Sequence, residues 1–408
     1  MNRINSFLFV TIAMLMLSFS SAWAQYVKLT AQDGTESWIE IEGTINGTNI
    51  EIGPIAIDPN TKGSIDLNEV WSRSGGRGTH YQVTSIGACA FGDWVCYSFP
   101  GLTSVIIPSS VTSIGDWAFY DSGLTSIVIP SSVTSIGDCA FGDCRSLTSI
   151  FVESGNSVYD SRNNCNAIIE TASNTLIAGC KNTKIPNSVT CIGDFAFYYS
   201  GLTYITIPNS VTSIGYDAFG GCSGLTSVTI PNSVTSIGIN AFCGCSGLTS
   251  VTSYITDVFE TGSGAFLDCG NATLYVPRGL ASTYRSTTDW NRISKIAESI
   301  VLAMSCNNKG KVKVNGGVQF TNDMGEVSVF DGIDNTFVFT PEENCQLEQV
   351  LINGLDVTLS VKDNQLTTKV GEGSKMIVTF SKSSGDVNGD GTVNINDVVT
   401  LVNMILGQ

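Results

Sequence analysis

The residues best suited to chemistry lie close to the C-terminus, in the segment 386–397. Side chains that carry oxygen stand there at the first, third, fifth, ninth and twelfth positions, and Gly391 stands at the sixth. Calcium is held by about six to eight oxygen ligands, and this spacing, with a glycine at the sharp turn, is typical of a calcium loop. The sequence therefore predicts a Ca²⁺ site in which the seventh residue offers its carbonyl, with these ligands: Asp386, Asn388, Asp390, Thr392, Asn394 and Asp397.

An alternative interpretation of this segment is a turn rich in Asp, Asn and Gly that binds no metal. The twelfth position is Asp397, whereas a calcium loop usually has there a glutamate, whose side chain is longer. Apolar residues follow the loop at helical spacing, which favours a loop followed by a helix. These residues are Val398, Leu401, Val402 and Ile405.

The segment 386–408 resembles one half of a type I dockerin, a family in which aspartate is usual at the twelfth position. A complete dockerin has two loop–helix repeats, and this sequence has one. The Ser/Thr pair that dockerins use for recognition is here Ile395-Asn396. The resemblance implies calcium binding, and it leaves docking to a cohesin-like partner or to the cell surface as an open hypothesis.

Catalytic arrangements have little support in this sequence. His80 is the only histidine, which nearly excludes Ser-His-Asp or Cys-His catalysis and excludes a histidine-rich metal site. A glycosidase needs two carboxylates held in a cleft in different environments. Asp116, Asp138 and Asp194 instead recur at one position of a repeat, so we expect a surface stripe. We therefore expect a protein that is not an enzyme.

An internal repeat dominates the chain. The segment from Leu102 to Pro108 recurs three times, and each copy is followed by Val-Thr-(Ser or Cys)-Ile-Gly and then Ala-Phe. The period of 22 to 23 residues lies within the range of leucine-rich repeats. One coil of this size cannot bury its own apolar edge, so neighbouring coils must stack. Stacking predicts an interior column of aromatic rings formed by Phe119, Phe141, Phe197, Phe219 and Phe242.

These repeats resemble the BspA-like (treponemal-type) leucine-rich repeats of bacterial surface proteins. The shared pattern is Leu-x-x-Ile-x-Ile-Pro-x-x-Val-x-x-Ile-Gly-x-x-Ala-Phe-x-x-Cys, and the resemblance covers about residues 80 to 296. It implies an adhesin for host matrix proteins or for other bacteria. A step of 56 residues from Ile136 to Ile192 indicates one divergent coil and a short hairpin around residues 156–180.

The thirteen cysteines are interpreted mainly as buried free thiols. Four of them follow the Phe column, and equivalent positions on stacked coils have parallel side chains, which disfavours disulfide geometry. An oxidising compartment favours the alternative of disulfides. The four residues are Cys144, Cys222, Cys245 and Cys269.

The N-terminus indicates export. Arg3, an apolar stretch from Phe7 to Phe19 and the small-x-small triplet Ala22-Trp23-Ala24 predict cleavage before Gln25. A membrane anchor is the alternative, but it needs about 20 apolar residues. We therefore predict a secreted or cell-surface, extracytoplasmic protein with no transmembrane segment after signal cleavage.

The predicted architecture is a β-rich repeat solenoid with an N-terminal β cap, a small all-β module and a C-terminal calcium loop–helix. Leu280, Tyr284, Trp290 and Ile293 are expected on a helix that covers the last coil, and a sugar contact is the alternative for Trp290. The predicted segments are a signal peptide (1–24), the β cap (25–79), the solenoid (80–298), the module (299–380), a linker (381–385) and the calcium repeat (386–408).

Charge and repeat geometry together predict a binding role. Only 14% of the residues are charged and the net charge is −16, which argues against nucleic acid and anionic membranes as partners. Stacked strands form an extended face, on which Tyr204, Thr206 and Thr229 are the predicted contacts with an extracellular protein or glycan ligand. The alternatives are a dockerin-bearing component of a polysaccharide-degrading complex and a structural cell-surface protein.

Overall fold

The computed structural model describes residues 25–382 apart from short gaps. The predicted signal peptide (1–24) and the calcium repeat (386–408) lie outside the described residues. The chain forms two compact units: the first runs to Val251 and includes 259–272 and 287–293, and the second comprises 252–258, 273–286 and the chain from Ser294. The gaps are 31–33, 55, 59, 73–75, 77, 93–97, 270–271, 308–309, 315–318, 321–324, 331–333, 343–344 and 371–373.

The first unit begins with a group of strands whose apolar residues alternate with polar ones. Val27 and Ile65 are buried on β1 and β5, which pair antiparallel. β4 pairs in parallel with β6, so Ile52 lies beside Ile86 and supplies a first strand for the coils that follow. The strands are β1 (Gln25–Thr30), β2 (Glu36–Ile41), β3 (Gly43–Asn46), β4 (Asn49–Ile52), β5 (Gly63–Trp71) and β6 (His80–Ile86).

The repeats form stacked coils, and three of the described coils contribute both a longer strand and a two-residue strand. The short strands pair in parallel and in register, so that Ile86 lies beside Ile114 and Ile192 beside Ile214. This confirms the predicted stacking. The strands are β7 (Leu102–Ile106), β8 (Ser113–Ile114), β9 (Ser126–Ile129), β10 (Ser135–Ile136), β11 (Ser149–Val152), β12 (Tyr159–Asp160), β13 (Ala167–Glu170), β14 (Thr175–Gly179), β15 (Cys191–Ile192), β16 (Ser213–Ile214), β17 (Ser227–Ile230), β18 (Ser236–Ile237) and β19 (Ser250–Ser253).

The predicted phenylalanine column is present and is longer than the repeat anchors indicated. Phe219 and Phe242 stack with their ring centroids 5.0 Å apart and an interplanar angle of 3°. Phe91 extends the column at one end, since its ring stacks on Phe119 at 5.4 Å. Phe266 extends it at the other end, at 5.5 Å from Phe242. The rings are fully enclosed by the coils, so each coil completes the core of its neighbour.

The divergent coil contains the predicted hairpin and interrupts this column. Strands β13 and β14 pair antiparallel, with Ala167 opposite Gly179. The Gly179 N–H donates to the Ala196 carbonyl at 2.8 Å, just as the Phe197 N–H donates to that of Ala218. Glycine occupies this position because a Cβ there would lie 2.1 Å from the Phe197 ring. Because Gly179 supplies no ring at this position, the aromatic stack is divided between Phe141 and Phe197.

The segment from Leu202 to Pro208 was expected to form a strand like its equivalents, but the structure assigns no strand there. The preceding coil is shortened: its Lys181 N–H donates to the Leu147 carbonyl, and the segment 180–186 has no strand. The segment 202–208 thus has no strand in the preceding coil to pair with, although Leu202 and Ile205 remain buried.

Cysteine thiols provide a second repeated contact between coils. Cys222 Sγ donates to the Phe197 carbonyl at 3.0 Å, and Cys245 Sγ donates to the Phe219 carbonyl at 3.1 Å. Cys144 and Cys269 make the equivalent bonds to the carbonyls of Phe119 and Phe242 in the preceding coils. Burial raises the pKa of the Cys222 thiol to about 11, which keeps it neutral and a donor. These bonds support the prediction of free thiols, because a cysteine in a disulfide has no S–H hydrogen to donate.

Threonine hydroxyls form two further ladders along the stack. Thr134 Oγ1 donates to the carbonyl of Thr112, and Thr212 Oγ1 donates to that of Thr190. On the other side of the coil, Thr125 Oγ1 donates in the same way to the Thr103 carbonyl. The abundance of hydroxyl residues is thus explained by bonds between coils as well as by surface polarity.

The second unit contains two sheets packed around one apolar core. Val312 and Phe337 lie in a four-stranded antiparallel sheet, and Leu302 and Phe380 lie in the larger sheet that faces the same core. Its elements are β20 (Thr273–Val276), α1 (Ala281–Ser286), β21 (Lys295–Cys306), β22 (Gly310–Val314), β23 (Gln319–Phe320), β24 (Gly325–Phe330), β25 (Asp334–Pro341), β26 (Cys345–Ile352), β27 (Leu355–Asp356), β28 (Gln365–Lys369) and β29 (Lys375–Lys382).

Two details of this unit bear on the sequence predictions. The Asn-Gly dipeptide favours a tight turn, and Asn353 and Gly354 form one, with φ values of 52° and 82° between the paired residues Ile352 and Leu355. The linker was expected from residue 381, but β29 continues to Lys382, which lies opposite Cys345. Backbone pairing with β26 thus holds Ser381 and Lys382 in the sheet.

The helix expected over 280–293 is two short pieces, because Asp289 interrupts it with a φ of 66°. Its carboxylate accepts the Gly264 N–H at 2.9 Å. Trp290 then begins a 3-10 helix, is fully buried, and stacks on Phe266 at 4.7 Å. This confirms the packing role and excludes the sugar contact. Two more 3-10 helices are Arg162–Asn164 and Thr358–Ser360.

Phe219→Ala tests the aromatic column. Removing a ring that stacks on both sides leaves a cavity, so we expect the free energy of unfolding to fall by about 3–5 kcal/mol in guanidinium titrations. The exposed Tyr204 provides the control, since Tyr204→Ala is expected to change stability by about 0.5 kcal/mol or less. Equal losses in the two variants would contradict a packed column.

Cys245 tests the thiol bonds. Cys245→Ala removes one of the two donors to the buried Phe219 carbonyl, which keeps the Cys222 N–H, so we expect a loss of about 0.5–1.5 kcal/mol in unfolding free energy. Cys245→Ser keeps a donor and should lose less, since the equivalent position of another coil is Ser122. Cys243→Ala, at a half-buried site, is the control. A larger loss for serine than for alanine would count against the bond.

Candidate binding face

The longer strands place alternate side chains inside and outside the coil, as the sequence predicted. Val105 is buried, whereas Ile106 is 48% exposed. The exposed position recurs in the next coils as Val128, at 47%, and Phe151, at 46%. Val128 and Phe151 lie side by side in the parallel register of β9 and β11. We call these three residues, Ile106, Val128 and Phe151, the apolar row.

The predicted contacts Tyr204, Thr206 and Thr229 lie on the surface beyond the divergent coil. Tyr204 is 66% exposed, and its hydroxyl lies 2.8 Å from the Thr206 hydroxyl. Thr206 and Thr229 occupy the coil position that Val128 occupies earlier in the chain. The face therefore changes along its length from apolar to hydroxyl side chains.

The aspartate stripe is present, and its members bond to backbone. Asp116 Oδ1 accepts the N–H of Asp138 at 2.8 Å. Asp194 Oδ1 accepts the N–H of Tyr216 at 2.7 Å. Each carboxylate thus bonds to the following coil, which explains why aspartate recurs after the glycine of the repeat. The carboxylates occupy equivalent, exposed positions on successive coils.

The single histidine also has a structural environment. His80 Nε2 lies 2.7 Å from the Asn68 carbonyl oxygen, and the ring packs on Trp71 with centroids 4.7 Å apart. Over the part of the chain that the structure describes, no group of three or more His, Cys, Asp or Glu side chains is placed to hold a metal ion. The predicted calcium ligands lie outside the described residues.

A family comparison agrees with this geometry. The BspA type leucine-rich-repeat region matches six copies over residues 79–172 and 168–287, which together span half of the chain. The chain belongs to this family. Membership accounts for the coil length, the Ile and Phe positions and the parallel short strands, and it identifies the molecule as a repeat protein. No curated protein sequence matches the chain.

Solved structures of bacterial leucine-rich-repeat proteins are similar to this BspA-type chain. A leucine-rich cell surface protein from Faecalibacterium prausnitzii is 28% identical, with 51% of this chain and 61% of that chain covered and a TM-score of 0.38. A leucine-rich-repeat protein from Eubacterium ventriosum is 23% identical, covering 62% and 79%, with a TM-score of 0.38. One from Bacteroides ovatus is 20% identical, covering 69% and 99%, with a TM-score of 0.25. The chain thus spans about three fifths of the first of these.

Part of the exposed surface of this BspA-type protein was not predicted from the sequence. Phe151 belongs to the apolar row and its strand keeps the repeat pattern, but Glu153 stands where the other copies have proline. Trp117 and Phe195 form part of an aromatic group on the turns of the coils. Their equivalent position, two residues after the repeat glycine, was the available signal. Of the described helices, none is long and apolar enough to span a bilayer.

Proposed function

We propose that this BspA-type protein is an exported, non-catalytic binding protein whose longer strands contact an extracellular protein. The apolar row carries this proposal. A single exposed apolar residue on a protein surface is ordinary, but adjacent ones on a rigid face are typical of interaction sites. The parallel ladder between β9 and β11 holds Val128 and Phe151 in place, so little conformational entropy is lost on binding.

The hydroxyl half of the face supports the same role with different contacts. Tyr204 offers an aromatic ring and a hydroxyl, and Thr206 and Thr229 offer further hydroxyl groups. Tyrosine is enriched at binding surfaces because it combines a large apolar body with a polar tip. A protein ligand can use both halves, whereas a glycan ligand would depend mainly on the hydroxyl half.

The extracytoplasmic location is part of the proposal. It is supported by the signal motif before Gln25 and by a surface that is acidic and sparsely charged. Family membership supports it as well, since the chain shares its repeat with the BspA type. Secretion or attachment at the cell surface would bring the strand face to ligands outside the cell.

Calcium binding by 386–397 is the second part of the proposal. Its support is the donor set, since carboxylate, amide and carbonyl oxygens are the ligands that Ca²⁺ prefers. Gly391 stands at the position where such a loop turns sharply. Bound calcium would order the loop and the apolar helix after it, and this repeat could then dock to a partner in the manner of a dockerin.

The strand face is tested by a variant in which the apolar row becomes threonine, the residue that later coils carry there. Ile106→Thr, Val128→Thr and Phe151→Thr together remove apolar contacts of about 1.5–3 kcal/mol each. We expect at least a tenfold loss of affinity for a matrix protein captured by the wild type, measured by surface plasmon resonance against purified matrix proteins, with a glycan array alongside.

The matched variant is Tyr204→Ala with Thr206→Ala and Thr229→Ala, on the same face. If this variant loses binding and the threonine variant does not, the contact lies in the hydroxyl half and the apolar row is not the ligand site. Ile127→Thr, at the buried neighbour of Val128, controls for folding. Wild-type protein that binds none of the probes, with cohesins included, would favour a structural role.

Calcium binding is measured for three proteins: the mature chain, the Asp390→Ala variant and a chain that ends at residue 385. We expect calorimetry to detect one bound Ca²⁺ per mature chain and none in the two altered proteins, because each lacks essential oxygen ligands. Equal uptake by all three would show that the ion binds elsewhere, and the assignment to 386–397 would then be wrong.

A further inference from the structure

A cluster of six aromatic side chains lies on the turns of the coils, away from the longer strands. Trp117 and Phe195 meet with ring centroids 5.7 Å apart, and Tyr120 and Tyr198 lie at 6.5 Å. Five of the six are half-buried and the sixth is exposed, so part of each ring faces solvent. We call this group the turn cluster: Trp117, Tyr120, Phe195, Tyr198, Tyr199 and Tyr216.

The divergent coil brings these rings together. The Asp143 N–H donates directly to the Tyr198 carbonyl, so the turn at 195–199 follows the turn at 139–143. In that intervening turn the positions equivalent to the cluster rings hold Cys139 and Gly142, and a Cβ on Gly142 would lie 3.1 Å from the Tyr120 ring. Large rings from either side therefore close over the small residues.

The backbone of the cluster has a conformation that aromatic residues rarely adopt. Trp117 and Phe195 have φ values of 59° and 55°, in the left-handed region. Asp217 and Asn240 hold the equivalent position in later coils, and such short polar residues enter this region most readily. A bulky side chain there costs about 1–3 kcal/mol, which indicates that the rings serve something other than the turn.

Carboxylates border the cluster on both sides. Asp116, Asp138 and Asp194 precede the left-handed position and are exposed. Asp121 and Asp143 follow on the other side, and burial, with the nearby Asp143 charge, raises the pKa of the Asp121 carboxyl. An aromatic surface between two rows of acids attracts cations, both through the ring faces and through direct pairing.

Arg145 shows the chemistry that this surface accepts. Its guanidinium carbon lies 5.5 Å from the Tyr199 ring centroid, and its Nε bonds to Asp143 Oδ1 at 2.5 Å. One arginine of the chain thus already stacks on a ring of the cluster and pairs with a bordering carboxylate. The remaining rings and the carboxylates of Asp138 and Asp121 offer the same combination to arginines from outside.

We propose that the turn cluster is a docking surface for an arginine-bearing basic segment of a partner protein. Guanidinium groups stack on Trp117, Tyr120 and Tyr198 and pair with Asp138 and Asp121. Charge complementarity selects this occupant, since the protein carries a net charge of −16 and acids flank the rings. Lysine fits less well, because its ammonium group is more strongly hydrated and does not stack.

Fluorescence anisotropy of a labelled peptide with the mature chain tests the proposal. The probes are a Gly/Ser peptide with four arginines, the same peptide with lysines, and a neutral peptide with citrulline. We expect the arginine peptide to bind several-fold more tightly than the lysine peptide, and the citrulline peptide not to bind. Tyr120→Leu with Tyr198→Leu keeps apolar bulk but removes two cation–π contacts, so affinity should fall about tenfold.

Three controls separate stacking from general charge attraction. Tyr26→Leu removes a half-buried ring on β1, outside the cluster, and should leave affinity unchanged. Asp138→Asn alters a bordering acid without touching the packing and should weaken binding more than Glu348→Gln, an exposed change of the same charge on β26. Arg145→Gln frees Tyr199 and Asp143, so it should strengthen binding more than Arg285→Gln does.

Two results would overturn the proposal. Equal affinity for arginine and lysine peptides, with no effect of the leucine variant, would show only long-range attraction to an acidic protein. Binding of the citrulline peptide or of neutral oligosaccharides, lost in the leucine variant, would show an aromatic platform for uncharged ligands. If the leucine variant fails to fold by circular dichroism, the Asp138→Asn and Arg145→Gln comparisons decide the outcome.

Discussion

Stacking of one coil on the next is the constraint on which the rest of this structure depends. Each coil of 22 or 23 residues has an apolar edge that it cannot cover, and the neighbouring coil covers it. The contact is most regular at the Phe column, where the Phe197, Phe219 and Phe242 rings lie within a few degrees of parallel. Because every coil needs this contact, spacing along the chain is held closely, and that regularity places equivalent surface residues in rows.

Polar contacts follow from the same register. Once two coils stack, a thiol such as Cys222, a hydroxyl such as Thr212 and a carboxylate such as Asp116 each meet a backbone group of an adjacent coil. Buried backbone groups are thereby satisfied with few charges, which suits a chain with 14% charged residues. Uncharged hydroxyl and thiol groups thus perform much of the bonding that links coils.

The divergent coil is where the regular pattern gives rise to distinct surfaces. Gly179 breaks the aromatic stack, and the hairpin of β13 and β14 replaces ordinary repeat residues. Before the hairpin the outward residues of the coils form the apolar row. After the hairpin the same face carries hydroxyl groups. On the turns the same interruption lets rings from separated parts of the sequence meet. Both proposed surfaces therefore depend on one departure from the repeat.

The sequence by itself determined the repeat, the inward Ile and Phe positions, the hairpin and the outward exposure of Tyr204, because a fixed period imposes one side-chain direction on every equivalent residue. Only the tertiary structure decided which residues meet across the divergent coil. Trp117 and Phe195 are 78 positions apart, beyond any local pattern. The missing strand at 202–208 and the helix break at Asp289 also depend on neighbours: a strand needs a ladder partner, and the Asp289 carboxylate turns to accept a distant N–H.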